Sequence, residues 1–174
     1  VVDRCRDLTF RFVGNVNGTE SAESASWKQK RRSVLERDHV VAVGQVPQEE
    51  VAQYYWRSSV NWIPYDPDHP FNVASCPTKI MDGLASGRPL VSTSVPECTL
   101  YPEWIDVADT PDEMSAILRQ RAHNFEEERV RRQVENTRSH TWDHRAARLR
   151  TLVSNETASL ERAGKARGQN GAPA

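Results

Sequence analysis

The sequence contains little cysteine, and its cysteines form no recognisable pattern. Cys5, Cys76 and Cys98 are an odd number without CxxC spacing, which argues against a disulfide framework and against a cysteine-based zinc site. We therefore expect a reducing, cytoplasmic compartment. No apolar run approaches the ~20 residues that a membrane-spanning helix needs. The chain shows no signal peptide and starts at Val1 rather than at a methionine, so we expect a piece of a longer protein without its targeting information.

An excess of charge of either sign is also absent, since 23 basic residues face 24 acidic ones and the formal net charge is −1. Such a chain has no overall field that would attract nucleic acid or an acidic membrane. One local basic cluster, formed by Lys28, Lys30, Arg31 and Arg32, could contact nucleic acid. Because no aromatic or glycine residue is interleaved with these cations, we favour a solvated helix face and expect no nucleic-acid partner.

What the sequence does contain is a regular alternation of strand and helix patterns. Short apolar runs predict strands at 8–13, 39–44, 60–64, 90–93 and, more weakly, 103–108. The run at 39–44 is nearly continuous, which is typical of a strand covered on both faces. Periodic patterns predict helices at 27–37 and 48–56, and a helix after Pro77 that ends at Gly87. A cap, a proline and acidic residues at 109–113 predict the start of another helix. A last helix is predicted with Trp142, Ala146, Leu149 and Val153 on one face. This βαβ alternation predicts an α/β fold, with a doubly wound parallel sheet and C-terminal helices.

The end of the chain has a different composition. Residues 161–174 lack apolar side chains able to pack, so they are predicted to form a disordered tail. We therefore place one folded domain at residues 1–160.

The most informative stretch is 75–93, which predicts a loop, a short helix and a buried strand. Pro77 suits the first helical position, with Ser75 or Cys76 as the cap. Lys79 then lies in the first turn, and Asp82 shares its face one turn later. A cation at a helix N-terminus followed by a carboxylate suits a ligand with phosphate and hydroxyl groups, such as a nucleotide. The alternative is a helix that carries one surface ion pair.

Several predicted turns converge with this helix N-terminus. The segments at 14–15, 45–47, 65–74 and 94–97 each follow a predicted strand. In open α/β sheets, ligands bind at the carboxyl ends of the strands. The sequence therefore predicts a nucleotide-binding crevice at this edge of the sheet.

Five segments occur in the order found in one enzyme family, and they lie at 12–16, 43–51, 61–65, 76–91 and 95–97. The specific one is Cys-Pro-Thr-Lys-Ile-Met-Asp-Gly-Leu-Ala-Ser-Gly-Arg-Pro-Leu-Val at 76–91. Over residues 8 to 155 the chain resembles the C-terminal, donor-binding half of a two-domain GT-B glycosyltransferase with Rossmann-like domains. It is most similar to the retaining glycosyltransferases of bacterial polysaccharide assembly.

This resemblance implies a nucleotide-diphosphate sugar as the donor, linked to UDP or GDP, with no cofactor and no metal. It assigns the ribose hydroxyls to Asp82, the diphosphate to Lys79, and the base to backbone groups of 45–47. The substrate-binding set that follows is Gly14, Asn15, Gln45, Val46, Pro47, Thr78, Lys79 and Asp82, with no catalytic residue assigned. It also implies a partner, an N-terminal acceptor domain absent from this chain, without which the fragment is expected to be inactive. Peripheral membrane contact would come only through that missing half.

The sequence departs from the family pattern at two places. Ala74 occupies the position of the first glutamate of the Glu-x7-Glu pair, and Asp66, Asp68 or Asn72 could substitute for it. Residues 14–18 hold no cation, so Lys79 is expected to carry most of the diphosphate contact. Both retaining and inverting outcomes remain open.

Other interpretations compete with the donor domain. A nucleotide-sugar epimerase of the same architecture and a non-catalytic nucleotide- or partner-binding module both fit the fold. Among single residues, His140 and His144 have metal-ligand spacing on a helix but no evident third ligand. Cys76 could be a low-pKa thiol beside the anion site, although a packed or capping thiol is favoured. Trp142 is predicted to anchor the last helix in the core rather than to serve as a stacking platform.

Overall fold

The computed structural model describes residues 1–16 and 25–169. The chain forms two compact units, Val1–Glu135 and Asn136–Ala174. The strands are β1 Phe10–Val13, β2 Val40–Gly44, β3 Asn61–Ile63, β4 Leu90–Thr93 and β5 Ile105–Ala108. The helices are α1 Ala25–Leu35, α2 Gln48–Arg57, α3 Pro70–Ala74, α4 Thr78–Ala85, α5 Pro96–Thr99, α6 Pro111–His123, α7 Glu127–Thr137 and α8 Trp142–Gln169.

The strands form two parallel groups. β1 pairs with β2, and β4 pairs with both β3 and β5. Phe10 of β1 and Trp62 of β3 are in edge-to-face contact, with ring centroids 5.5 Å apart, so the two groups meet at these strands. Among the described residues the hydrogen-bonded strand orders are β1-β2 in one sheet and β3-β4-β5 in the other. Parallel sheets flanked by helices confirm the predicted α/β class.

The central strand β4 fixes the position of helix α4. Leu90 and Val91 are fully buried, as a parallel strand covered on both faces requires. A Cβ on Gly83 would lie only 3.0 Å from the Leu90 side chain, so glycine lets α4 pack directly against the strand. Gly87, with φ +68°, ends the helix as predicted. The N-terminus of α4 therefore lies at the carboxyl edge of the sheet.

Side chains of α7 hold the opposite end of α4 in place. Gln133 is 1% exposed, and its amide donates to the carbonyl oxygens of Leu84 at 2.9 Å and Arg88 at 3.0 Å. These two hydrogen bonds tie α7 to the last turn of α4 and to the loop that follows it.

The start of α6 matches the prediction closely. Thr110 and Glu113 form a reciprocal capping box, and Pro111 occupies the first turn. The helix ends at His123, so Phe125 lies outside it and is 54% exposed. The charged stretch that follows forms the separate helix α7.

Two predicted features of the helices and strands are wrong. β2 is not covered on both faces: Val40 is buried, whereas Val41 is 42% exposed and Ala42 is exposed as well. Pro77 is the N-cap of α4 rather than its first residue, and no side chain caps the helix. Its extended backbone places its carbonyl 3.1 Å from the Ile80 N–H, so the helix begins at Thr78.

The last helix also differs from its prediction. Trp142 is 81% exposed, so it is not a core anchor, and Leu149 and Val153 on the same predicted face are exposed as well. The helical backbone continues to Gln169, within the predicted tail, and residues 170–174 lie outside the described residues. The disorder of that tail stays a prediction.

Candidate functional site

A cleft of about 250 Å³ lies where the prediction places the ligand, at the carboxyl edge of the parallel sheet. Its walls are formed by Tyr65, two residues after the end of β3, by the short helix α3 and by the N-terminal turn of α4. Its lining residues are Tyr65, Phe71, Ser75, Cys76, Pro77, Thr78 and Lys79. Of the predicted substrate-binding residues, Thr78 and Lys79 therefore lie in the cleft.

The cation of the cleft is held by a tyrosine. The Lys79 ammonium donates to the Tyr65 hydroxyl at 2.8 Å. The ammonium lies 5.3 Å from the ring centroid, so it sits beyond the hydroxyl rather than over the ring face, and the contact is a hydrogen bond. Among the described residues Lys79 makes no ion pair with Asp82, so the surface-pair alternative is wrong.

The backbone around the cleft is itself well connected. The Thr93 hydroxyl at the end of β4 donates to the Tyr65 carbonyl at 2.5 Å. The Asp66 carboxylate accepts from the Asp68 N–H at 3.0 Å, and the Asn72 amide donates to the Asp66 carbonyl at 2.8 Å. Asp66 and Asn72, two candidates for the missing glutamate, thus organise the loop between β3 and α4.

That loop contains one more helical turn than the sequence predicts. His69 caps α3, because its Nδ1 accepts from the Phe71 N–H at 3.2 Å. The turn places Phe71 in the wall of the cleft while leaving its side chain 71% exposed.

Asp82 lies one turn beyond the cleft on α4, and its exposed carboxylate acts on a tyrosine of α2. Burial, the negative charge of Asp82 and the neighbouring Tyr65 together raise the pKa of Tyr55 to about 12. The Tyr55 phenol therefore lies within range of the Asp82 charge. Neither the tyrosine nor this proximity is visible in the sequence, because the two residues belong to different helices.

The raised pKa of Tyr55 predicts an alkaline effect on stability. An unfolded tyrosine titrates near ~10, so the stabilisation is complete below about pH 10 and is lost as the pH rises toward about 12. Absorbance at 295 nm should show a tyrosine transition near pH 12 that is absent in Tyr55→Phe. Asp82→Asn should move that transition to lower pH. An unchanged transition in Asp82→Asn would show that the two side chains do not interact.

The other predicted binding residues lie at the ends of β1 and β2. The Gly14 N–H donates to the Gly44 carbonyl at 2.8 Å, which ties the two turns together. Both glycines have a positive φ, +124° and +83°, and neither would be crowded by a Cβ. Asn15 and Gln45 are exposed beside them. These loops lie at the carboxyl ends of β1 and β2 and are not among the residues that line the cleft.

Val46 and Pro47 complete the second of these turns. Pro47 is the N-cap of α2, and its carbonyl accepts from the Glu50 N–H at 2.9 Å. Val46 is partly buried and Pro47 is exposed. The assignment of 45–47 to the base stays a prediction.

The contacts of Cys76 and His144 bear on the roles considered for them, a thiol beside the anion site and a metal ligand. The Cys76 thiol donates to the Glu97 carboxylate at 3.4 Å and is exposed, so it is neither packed in the core nor a cap of α4. His144 contacts the Thr141 hydroxyl through Nδ1 at 2.7 Å. In the part of the chain that the structure describes, no cluster of three or more His, Cys, Asp or Glu could hold a metal ion.

A family model described as glycosyl transferase-like matches residues 1–151. This match covers β1 to β5, the cleft and the start of α8. The chain belongs to the glycosyl transferase-like family. Searches of curated proteins and of solved structures found no match. Among the described helices of this glycosyl transferase-like chain, none is long and apolar enough to cross a membrane.

The sequence did not assign Tyr65 to the site of this family member. The tyrosine directly follows the predicted strand at 60–64, and a polar aromatic at the carboxyl end of a parallel strand is the signal that could have found it. Its partner Lys79 is 14 positions away, which is beyond any helical or strand spacing.

Proposed function

We propose that this chain is the donor-binding domain of a GT-B-type glycosyltransferase of bacterial polysaccharide assembly. It would bind a nucleotide-diphosphate sugar and present the sugar to an acceptor held by a second domain. The observation that carries the proposal is the cleft at the carboxyl edge of the sheet, with the Lys79 ammonium at the start of α4, in a chain of the glycosyl transferase-like family.

The charge of the cleft suits the chemistry of glycosyl transfer. As the glycosidic bond breaks, the leaving nucleoside diphosphate gains negative charge, and fixed donors aimed at that charge lower the barrier. Lys79 supplies a full positive charge. The first turn of α4 adds N–H groups that no side chain caps, together with the positive end of the helix dipole.

Asp82 would hold the other end of the nucleotide. An ionised carboxylate accepts hydrogen bonds from two neighbouring hydroxyls, and its position one turn from Lys79 places it a few ångströms along the helix from the phosphate site. Anchoring the ribose would orient the diphosphate toward Lys79 and fix the leaving group for reaction. The loops at Gly14 and at 45–47 would complete the nucleotide site.

The epimerase alternative receives no support from the cleft. Its described lining contains no carboxylate, whereas epimerisation would need acidic groups against the sugar. A non-catalytic module would share the binding residues and would differ in lacking a second, acceptor-binding domain.

Calorimetric titration of the chain with UDP and GDP tests the proposal. We expect weak binding of one nucleoside diphosphate and a rise in Tm, because a ligand that binds only the folded state stabilises it. Uridine and guanosine serve as matched controls and should bind more weakly, since they cannot reach Lys79. A folded sample that gives neither heat nor a Tm shift with either diphosphate would refute the donor-domain proposal.

A further inference from the structure

The hydrogen bond between Lys79 and Tyr65 leaves both groups with unused donors. A lysine ammonium has three N–H donors and no acceptor, so the phenol oxygen must be the acceptor of the 2.8 Å contact. The phenol proton is then available to donate elsewhere. Among the described residues, no other side chain or backbone group forms a hydrogen bond with the Tyr65 hydroxyl or the Lys79 ammonium.

These donors point to one kind of ligand group. Two ammonium N–H groups and one phenol O–H lie within one hydrogen-bond length of each other at the wall of the cleft. A phosphate offers several acceptor oxygens on one centre and so can be reached by more than one of these donors. A neutral sugar hydroxyl has only two acceptor lone pairs, so fewer of these donors can reach it.

We propose that Tyr65 and Lys79 act as a single phosphate-binding pair, in which Tyr65 positions the ammonium and donates its own O–H to the same diphosphate. The inference rests on the proposed function and names the second side chain that recognises the leaving group. Tyr65 is suited to this role because the Thr93 hydroxyl fixes its backbone at the end of β3.

A held lysine also has an energetic advantage over a free one. A long exposed side chain loses rotamer freedom when a ligand immobilises it. The hydrogen bond to Tyr65 restricts Lys79 before the ligand arrives, so less of this entropy is lost on binding. The tyrosine thus contributes both directly, through its O–H, and indirectly, through the lysine.

Tyr65→Phe removes the hydroxyl and keeps the ring, so it tests the pair without altering the packing. The affinity of the preferred nucleoside diphosphate and of inorganic pyrophosphate should fall about three- to tenfold, the value of one net hydrogen bond. The affinity of the nucleoside should be unchanged. Tyr54→Phe, which removes a hydroxyl from α2 outside the cleft, is the matched control and should behave as the parent.

A double-mutant cycle separates the direct from the indirect role. In a Lys79→Ala background, Tyr65→Phe should cost less than in the parent, because the hydroxyl then has no ammonium to position. Equal diphosphate affinity of Tyr65→Phe and the parent would overturn this inference alone. So would an equal loss for nucleoside and diphosphate, which indicates a structural role. A parent that binds no diphosphate would overturn the proposed function and this inference with it.

Discussion

Lys79→Ala is expected to weaken nucleoside diphosphate binding roughly ten- to hundredfold, which is the value of a charge-assisted hydrogen bond. Nucleoside binding should change little, because the nucleoside carries no phosphate for the ammonium to meet. Isothermal titration with UDP, GDP and their nucleosides measures the difference. Lys30→Ala, on the exposed helix α1, removes a comparable charge and should leave both affinities unchanged.

Asp82→Asn gives the complementary pattern. It keeps the shape of the side chain and removes the charge that would accept from two ribose hydroxyls, so diphosphate and nucleoside should weaken by similar factors. Asp82→Asn should also discriminate less than the parent against the 2′-deoxy form of the nucleotide. If Lys79→Ala instead weakens diphosphate and nucleoside equally, the assignment of Lys79 to the diphosphate is wrong.

Asp106→Asn is expected to lower the free energy of unfolding by about 3 kcal/mol. Asp106 lies in β5 and joins two helices: Arg121 of α6 donates to both carboxylate oxygens at 2.7 and 2.8 Å, and Arg129 of α7 donates at 3.0 Å. All three side chains are less than 20% exposed. Removing the shared carboxylate charge leaves the Arg129 guanidinium without its carboxylate partner and leaves Arg121 with only the more exposed Glu126, in a poorly solvated site.

Thermal and urea unfolding measure this effect. A loss of ~3 kcal/mol corresponds to a Tm lower by roughly 6–12 °C in a chain of this size. Asp7→Asn breaks the exposed Asp7–Arg119 pair, whose atoms are 2.9 Å apart, and should cost clearly less than Asp106→Asn, because exposed ion pairs contribute little to stability. Equal small losses in both variants would show that the Asp106 cluster contributes no more than a surface pair.

The lowered pKa of Asp106 predicts a loss of stability at acid pH. Burial alone would raise the pKa of Asp106, but the hydrogen bonds and charges of Arg121 and Arg129 hold it below the ordinary value. Because the folded pKa is lowered, its stabilisation is present above pH ~4 and is lost as the pH falls through the folded pKa. Asp106→Asn should therefore lose less stability than the parent between neutral and acid pH.

Sequence patterns predicted the elements that depend on near neighbours. The apolar run at 90–93, the helix start at 109–113 and the stop at Gly87 all depend on residues a few positions apart, and each is found where it was predicted. The same local logic placed Thr78 and Lys79 at the start of α4, and the parallel order of the strands then brought them to the carboxyl edge.

Patterns failed where coverage by another layer decides the outcome. The apolar run of β2 predicts burial on both faces, yet Val41 is exposed, and the periodic face of α8 predicts a core anchor, yet Trp142 is exposed. Hydrophobicity shows that a side chain could be buried. It does not show that a second element packs against it.

By itself, then, the sequence determined the α/β alternation, the helix that carries Lys79 and the edge of the sheet at which a ligand would bind, because these follow from local spacing and from the geometry of parallel strands. Only the tertiary structure decided which distant residues contact each other. Tyr65 meets Lys79 across 14 positions, and Arg129 meets Asp106 across 23. Contacts at such separations depend on how the helices pack on the sheet, which no periodicity within one element can specify.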